Sequence, residues 1–329
     1  MIWLVWRQHR SQVYFAAAAL AAFAVLLLVT GLQMASQYHA ALVSCAASGT
    51  CGSLQSTLTL GSPPMVFLVL LSMAVPAVLG VFWGAPLVAR ELELGTSQFA
   101  WMQSVTRQRW LAAKTGWTLL AAAAWGGAVS ALVTWWSGPE NALKHQNFRP
   151  GQFDIQGIVP VGYALFAVAL GIAVGTLVRR VLPALAITLG VFAGVRFLIA
   201  YFVRPHYLTA ITTTSSVSSR AEPTGSYWRL SQGVIGPDGR VFQDTGLAAF
   251  LGSTRVTIPG RCRPSPHAAH PGRFADRVAC LSAHGYHGFL TYQPAGRYWP
   301  FQGIETGIFV LLAAVLIAVT ARLVIRRDG

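Results

Sequence analysis

Two histidine pairs are the residues here whose type and spacing suggest metal chemistry: His267 and His270 in "HAAH", and His284 and His287 in "HGYH". Imidazoles three residues apart can share one face of a helix as zinc ligands, which would suit an extracytoplasmic metal-dependent membrane hydrolase. Pro271 follows the first pair and Gly285 interrupts the second, so neither sits in an obvious helix. No HExxH with its carboxylate base is present. Nucleotide hydrolysis fares worse. A phosphate-binding loop needs Gly-Lys-Ser/Thr behind an earlier glycine; Lys114-Thr115 follows Ala113, with Gln108 where the first glycine belongs. No catalytic residue is assigned, and any ATP and magnesium must be held by another polypeptide. The chain is therefore not expected to be an enzyme.

A different kind of chemistry, protein docking, is suggested by residues 88–110, "VARELELGTSQFAWMQSVTRQRW". Residues 95–104 can form a short helix capped by Thr96 or Ser97, with Phe99, Trp101 and Met102 as protruding anchors. Arg90, Glu91 and Glu93 precede it, and Arg107, Arg109 and Lys114 follow. The bland alternative is a basic loop with an interfacial tryptophan.

These residues must be positioned by membrane helices. With 54% hydrophobic residues, 10% charged and a mean hydropathy of +0.53, the chain exceeds what a soluble surface tolerates. Windows of about 20 apolar residues, enough to cross the hydrocarbon core, fall at 13–32, 65–88, 111–136, 158–178, 181–203 and 304–325. The expected fold is a mainly α-helical integral membrane protein with six spans, an amphipathic interfacial helix over 1–12, a small mixed α/β domain over 204–303, and a last span and tail over 304–329. Residue 13 onwards reads as a span and not a signal peptide, because no small-residue cleavage site is evident.

Orientation follows from Lys and Arg in short loops. Arg7, Arg10, the 89–110 loop, Arg179-Arg180 and Arg322, Arg326 and Arg327 all fall on one side if the spans number six, which places both termini in the cytoplasm and the large domain outside. Cys45, Cys51, Cys262 and Cys280 then all fall outside, where disulfides are permitted. Of the three pairings, the local ones, Cys45 with Cys51 and Cys262 with Cys280, need the least assumption; unpaired thiols are the alternative. The formal charge of +14 does not indicate nucleic acid, since the bases are spread over two membrane faces. Cytoplasmic bases would instead face anionic membrane lipid.

Inside the spans, Gly171 with Gly175 and Gly190 with Gly194 have the spacing for close helix approach, which predicts that spans four and five are packed within the bundle. Pro76, Pro86 and Pro183 invite kinks. Arg196 and Glu305 lie at comparable depth near the outer face, so an intramembrane pair between them is expected, with snorkelling of Arg196 as the alternative. In the outer domain "QGVIGPDGRVFQD" reads as a hairpin and "HGFLTYQP" as a strand.

The stretch Arg90-Glu91-Leu92-Glu93-Leu94-Gly95-Thr96, followed by "SVTRQRWLAAK" ending at Lys114, resembles the cytoplasmic loop of permeases in the second class of ABC exporters. "WRQHR" near the start and "TYQPAGRYWPFQGIET" before the last span resemble the actinobacterial type with a large outer domain. Ser104-Val105-Thr106-Arg107 stands where that family commonly has Pro-Val-Ser-Arg. The resemblance implies a half-transporter: two copies of the permease, two cytoplasmic ATPase subunits docked on the coupling helix, and efflux of an amphipathic or lipid-like small molecule or peptide. A non-transporting sensor or anchoring subunit is the remaining alternative.

Overall fold

The computed structural model describes residues 2–48, 63–94, 107–144, 148–217, 223, 226–243, 262 and 273–326. The chain forms two compact units, Met1–Arg204 with Trp299–Gly329, and Pro205–Tyr298.

The first unit is a helical bundle, and among the described residues six helices are long and apolar enough to cross a membrane. Helix α1 (Ile2–Ser48) runs unbroken through 47 residues. Residues 2–12, expected as an amphipathic interfacial helix, are helical and run on into the first span without a break, since no proline or glycine precedes Gly31. At 1.5 Å per residue α1 is about 70 Å long, more than twice the hydrocarbon thickness, and its apolar stretch runs Ala17–Ala47. It packs on α4 (Arg107–Trp136) through Phe23, Leu27, Val129 and Val133, and the Trp136 indole donates to Thr30 Oγ1 at 3.0 Å.

The second span is a composite of α2 (Pro63–Leu79), a π-helical turn (Gly80–Gly84) and α3 (Ala85–Glu93). Pro86 has no N–H for the Phe82 carbonyl, and the helix widens just before it, with the Ala85 N–H reaching back five residues to the Gly80 carbonyl. The same device recurs at the end of the fifth span: α8 (Val181–Leu198) is followed by a π turn (Ile199–Val203), the Arg204 N–H bonds the Ile199 carbonyl, and Pro205 comes next.

Between α4 and the fourth span lie α5 (Gly138–Lys144) and the single turn α6 (Pro150–Phe153). Helix α7 (Val159–Val178) is the hub, buried along most of its length, while the other spans expose large apolar side chains such as Leu120, Leu182 and Leu311. Its glycines explain the closeness of one crossing. A Cβ on Gly171 would lie 2.4 Å from the Gly80 carbonyl oxygen, and one on Gly175 would lie 2.4 Å from that of Ala85. The small residues of α7 therefore seat the second span. Among the described residues, no atom beyond the helix's own backbone lies within 4 Å of a Cβ built on Gly190 or Gly194. Contact between α7 and α8 rests instead on side chains such as Phe166 stacked on Phe192. The sixth span is α10 (Tyr298–Arg326).

The second unit is built on an antiparallel sheet of β1 (Ile211–Ser216), β2 (Tyr227–Ile235), β3 (Val241–Gln243) and β4 (His287–Pro294), in spatial order β1-β4-β2-β3. Strands β2 and β3 form the anticipated hairpin about Pro237-Asp238-Gly239, closed by Gly236 N–H to Arg240 O at 2.8 Å, with Gly239 at φ 76°. Helix α9 (Arg273–Ala283) contributes Val278 and Leu281 to a core with Val217, Val234, Cys262 and Tyr286.

Candidate functional site

The bundle unit carries charged side chains at two levels along α7, near Tyr163 and beyond Val178, separated by about 22 Å of helix.

At the Val178 end, α3 brings its acids against two other helices. Glu91 forms an ion pair with Lys114 of α4, and Lys114 is 6% exposed. Glu93 Oε2 accepts the Val181 N–H at 2.9 Å, at the start of α8. That N–H lacks an intrahelical acceptor, so a carboxylate is favourable there both as a cap and against the helix dipole. The chain reaches this point because α7 ends on Arg179 in the left-handed region (φ 56°) and Arg180 is extended. Arg90 is exposed. Arg107 opens α4, whereas Gly95, Thr96, Phe99, Trp101 and Met102 lie outside the described residues.

At the Tyr163 end lies a buried ionic network that the sequence reading only partly identified. The Arg204 guanidinium grips Glu305 side-on, Nε to Oε2 and Nη2 to Oε1, both at 2.7 Å. Nη2 also donates to Asp154 Oδ1 at 2.5 Å and to the Tyr163 hydroxyl at 3.1 Å. Tyr163 donates to Glu305 Oε1 at 2.5 Å. Arg196 approaches Asp154 Oδ2 at 3.3 Å, lies 4.6 Å from the Tyr163 ring centroid, and donates Nη1 to the Met73 carbonyl at 2.9 Å. Arg204 is 1% exposed and Glu305 0%. Two arginines against two carboxylates leave no net charge, the condition under which burial of such groups is tolerated.

Local structure explains the placement. The π turn ahead of Pro205 delivers Arg204 at the end of the fifth span, with its guanidinium 4.6 Å from the Phe153 ring centroid. Asp154 caps α6, and Glu305 lies near the start of α10. One helical turn's length from Glu305, Gln302 supports the same loop: its Oε1 accepts the N–H groups of Ile158 and Val159, both at 2.9 Å, and its Nε2 donates to the carbonyls of Phe153 and Gln156, both at 3.2 Å. Gly157, at φ 72°, permits this approach, since a Cβ there would lie 2.7 Å from Gln302 Oε1.

The expected direct pair of Arg196 with Glu305 is corrected accordingly. Glu305 is held by Arg204, and Arg196 pairs with Asp154, so the two belong to one network without forming its central bond. Arg204 was assigned by sequence to the soluble domain, one residue beyond the fifth span. Its position just before a proline, at the end of an apolar run, is the signal that could have found it.

Cys262 is bonded to Cys280, and Cys45 is also in a disulfide; Cys51 lies outside the described residues. His267 and His270 lie outside them too. His284 sits on the turn after α9, while His287 begins β4, and Gly285 at φ 77° separates them, so these imidazoles do not share a helical face.

A family model described as ABC-2 membrane transporter related matches residues 17–204, more than half of the chain. Comparison with curated proteins and with solved structures finds no match. The matched stretch takes in both levels on α7, from Glu91 and Lys114 to Asp154, Tyr163, Arg196 and Arg204, together with five of the six apolar helices. The chain belongs to the ABC-2 membrane transporter-related family, and is an ABC-2 type permease.

Proposed function

We propose that the chain is the membrane half of an ATP-driven exporter. Two copies form the pathway, and two cytoplasmic ATPase subunits dock on residues 88–110. Both termini are cytoplasmic, the second unit is extracytoplasmic, and the cargo is amphipathic or lipid-like. The observation that carries this reading is the pair of joints at the end of α3. Glu91 ties α3 to α4, and Glu93 ties it to the start of α8. A displacement applied to the connection between α3 and α4 would thus reach three helices together. Phe99, Trp101 and Met102 lie in that connection, and large apolar anchors suit a groove on a partner.

The test is site-specific cross-linking in lipid nanodiscs. A photoreactive residue at position 101 of the full chain should capture an ATP-binding subunit of the host cell, identified by mass spectrometry, with one at exposed Leu120 as control. Failure of position 101 to capture any ATP-binding protein, or equal capture at Leu120, would count against the docking assignment. Transport is tested separately. With the ATPase reconstituted, Glu91→Ala should leave ATP hydrolysis running while movement of a fluorescent phospholipid probe falls by at least about tenfold. Unchanged probe movement at equal hydrolysis would remove the lever role of Glu91.

A further inference from the structure

The second unit holds a cluster of potentially ligating side chains, Cys262, Cys280 and His284. Cys280 lies in α9 and is bonded to Cys262, with Cα atoms 5.7 Å apart. His284 follows four residues later, where the helix has just ended, and its ring turns back over the sulfurs. Its Nδ1 is 3.9 Å from Cys262 Sγ and 3.9 Å from Cys280 Sγ, and the three potential ligand atoms lie within 4.8 Å of one another. The cluster is seated on a firm base: Val278 and Leu281 of α9 pack with Val217, Val234 and Tyr286. Cys262 is buried, Cys280 half-buried and His284 exposed, so one side of the cluster faces solvent.

The geometry points to a redox-gated site for one thiophilic divalent ion of the zinc class, bound by Cys262 Sγ, Cys280 Sγ and His284 Nδ1 when the disulfide is open. Zinc with sulfur at about 2.3 Å and nitrogen at about 2.0 Å in a tetrahedral shell spaces its ligand atoms roughly 3.5–3.8 Å apart. The imidazole already stands close to that distance from each sulfur. Only the two sulfurs must separate, and side-chain torsions do this without moving the Cα atoms. The ligand set is two thiolates and an imidazole, which selects zinc over the harder calcium or magnesium. Its solvent-facing side leaves a fourth position for water, as in sites that keep an open coordination position.

Disulfide and metal exclude one another, because a bonded pair of sulfurs offers no thiolate. Opening requires an external dithiol: it is oxidised to its own disulfide, and its two electrons and two protons convert Cys262 and Cys280 to thiols. Metal binding then releases those two thiol protons. In the closed state His284 Nδ1 is 2.7 Å from the Cys280 carbonyl oxygen, to which it donates as the Nδ1–H tautomer. On binding metal the proton resides on Nε2 and this hydrogen bond is lost.

The experiment uses the full chain in nanodiscs carrying Cys45→Ser and Cys51→Ser, so that Cys262 and Cys280 are its only cysteines. It is treated with excess dithiothreitol, desalted anaerobically and titrated with Co2+ as a spectroscopic substitute for zinc. One Co2+ per chain is expected, with a thiolate-to-cobalt charge-transfer band and the d–d intensity of a tetrahedral site. Zn2+ should abolish both, and the oxidised protein should give neither. Cys280→Ser should eliminate the band, and His284→Ala should weaken Co2+ affinity at least about tenfold. As a check independent of these variants' folding, Zn2+ should slow alkylation of the two thiols in the reduced chain several-fold. The proposal is overturned if reduced protein gives no thiolate–cobalt band, if the oxidised protein binds equally, if His284→Ala leaves affinity unchanged, or if Zn2+ gives no protection from alkylation.

Discussion

Replacing Arg204 by Met removes a side chain of comparable length and leaves Glu305 and Asp154 buried with only Arg196 as counter-charge. Four hydrogen bonds disappear, two to Glu305, one to Asp154 and one to Tyr163. Leaving one buried charge without its partner costs about 3–5 kcal/mol. For a bundle of this size that corresponds to a loss of about 6–20 °C in unfolding temperature. Glu305→Met alone should cost a similar amount, because Arg204 and Arg196 then face a single carboxylate. The double change Arg204→Met with Glu305→Met behaves differently. It leaves Asp154 opposite Arg196, already 3.3 Å away, and Tyr163 beside Asp154 Oδ1 at 3.3 Å, so charge is balanced again. Apolar replacement of a whole buried pair is commonly close to neutral, and the double variant should therefore lie within about 2 kcal/mol of the parent. The assay is a double-mutant cycle from thermal inactivation rates in nanodiscs, suited to proteins that unfold irreversibly. A coupling of about 3 kcal/mol or more is expected. Additive losses, or an Arg204→Met cost under about 1 kcal/mol, would refute the view that the four charges balance as one unit.

Four further outcomes follow from the packing and capping described above. Gly171→Ala should destabilise the bundle by roughly 1–3 kcal/mol through overpacking against the Gly80 backbone. Gly190→Ala, at a position with no neighbour within 4 Å, should change the same inactivation rate by no more than the equivalent of about 0.5 kcal/mol. Gln302→Leu withdraws the acceptor for two N–H groups at the start of α7 and the donor to two carbonyls, and should cost about 2–4 kcal/mol; hydrogen exchange should rise first at Ile158 and Val159. Lys114→Met in a Glu91→Met background should be better tolerated than Glu91→Met alone, because it removes the buried ammonium left behind, and melting curves of the parent and the two variants decide this.

The apolar helices were legible in sequence because hydrocarbon thickness imposes a length and a composition that no other constraint mimics. The third ran over the residues anticipated, and the β2–β3 hairpin was legible for an equally local reason, the Pro-Asp-Gly turn. What stayed out of reach was partner choice. Glycine spacing marks a face capable of close approach, but not the helix that will approach it, which for Gly171 is the second span at Gly80. Arg196 and Glu305 were recognised as out of place in an apolar setting. Arg204 escaped because the span was ended one residue too early, and Asp154 because it lay in a loop that folds back against the bundle. Helix boundaries were illegible for a related reason: the polarity of residues 7–12 marks an environment, not an end, and α1 passes through that change without a break.

The π turn at Gly80–Gly84 acts as an angular spacer. A one-residue insertion in an α-helix advances everything beyond it by about 100°, so this single widened turn sets the azimuth of Glu91 and Glu93 on α3 relative to α2. Deleting one residue of the turn together with Pro86→Ala would restore regular helix and rotate both carboxylates by that angle, away from Lys114 and from the Val181 N–H. A substitution of either acid alters one joint. The proline just beyond the turn governs the phase of both.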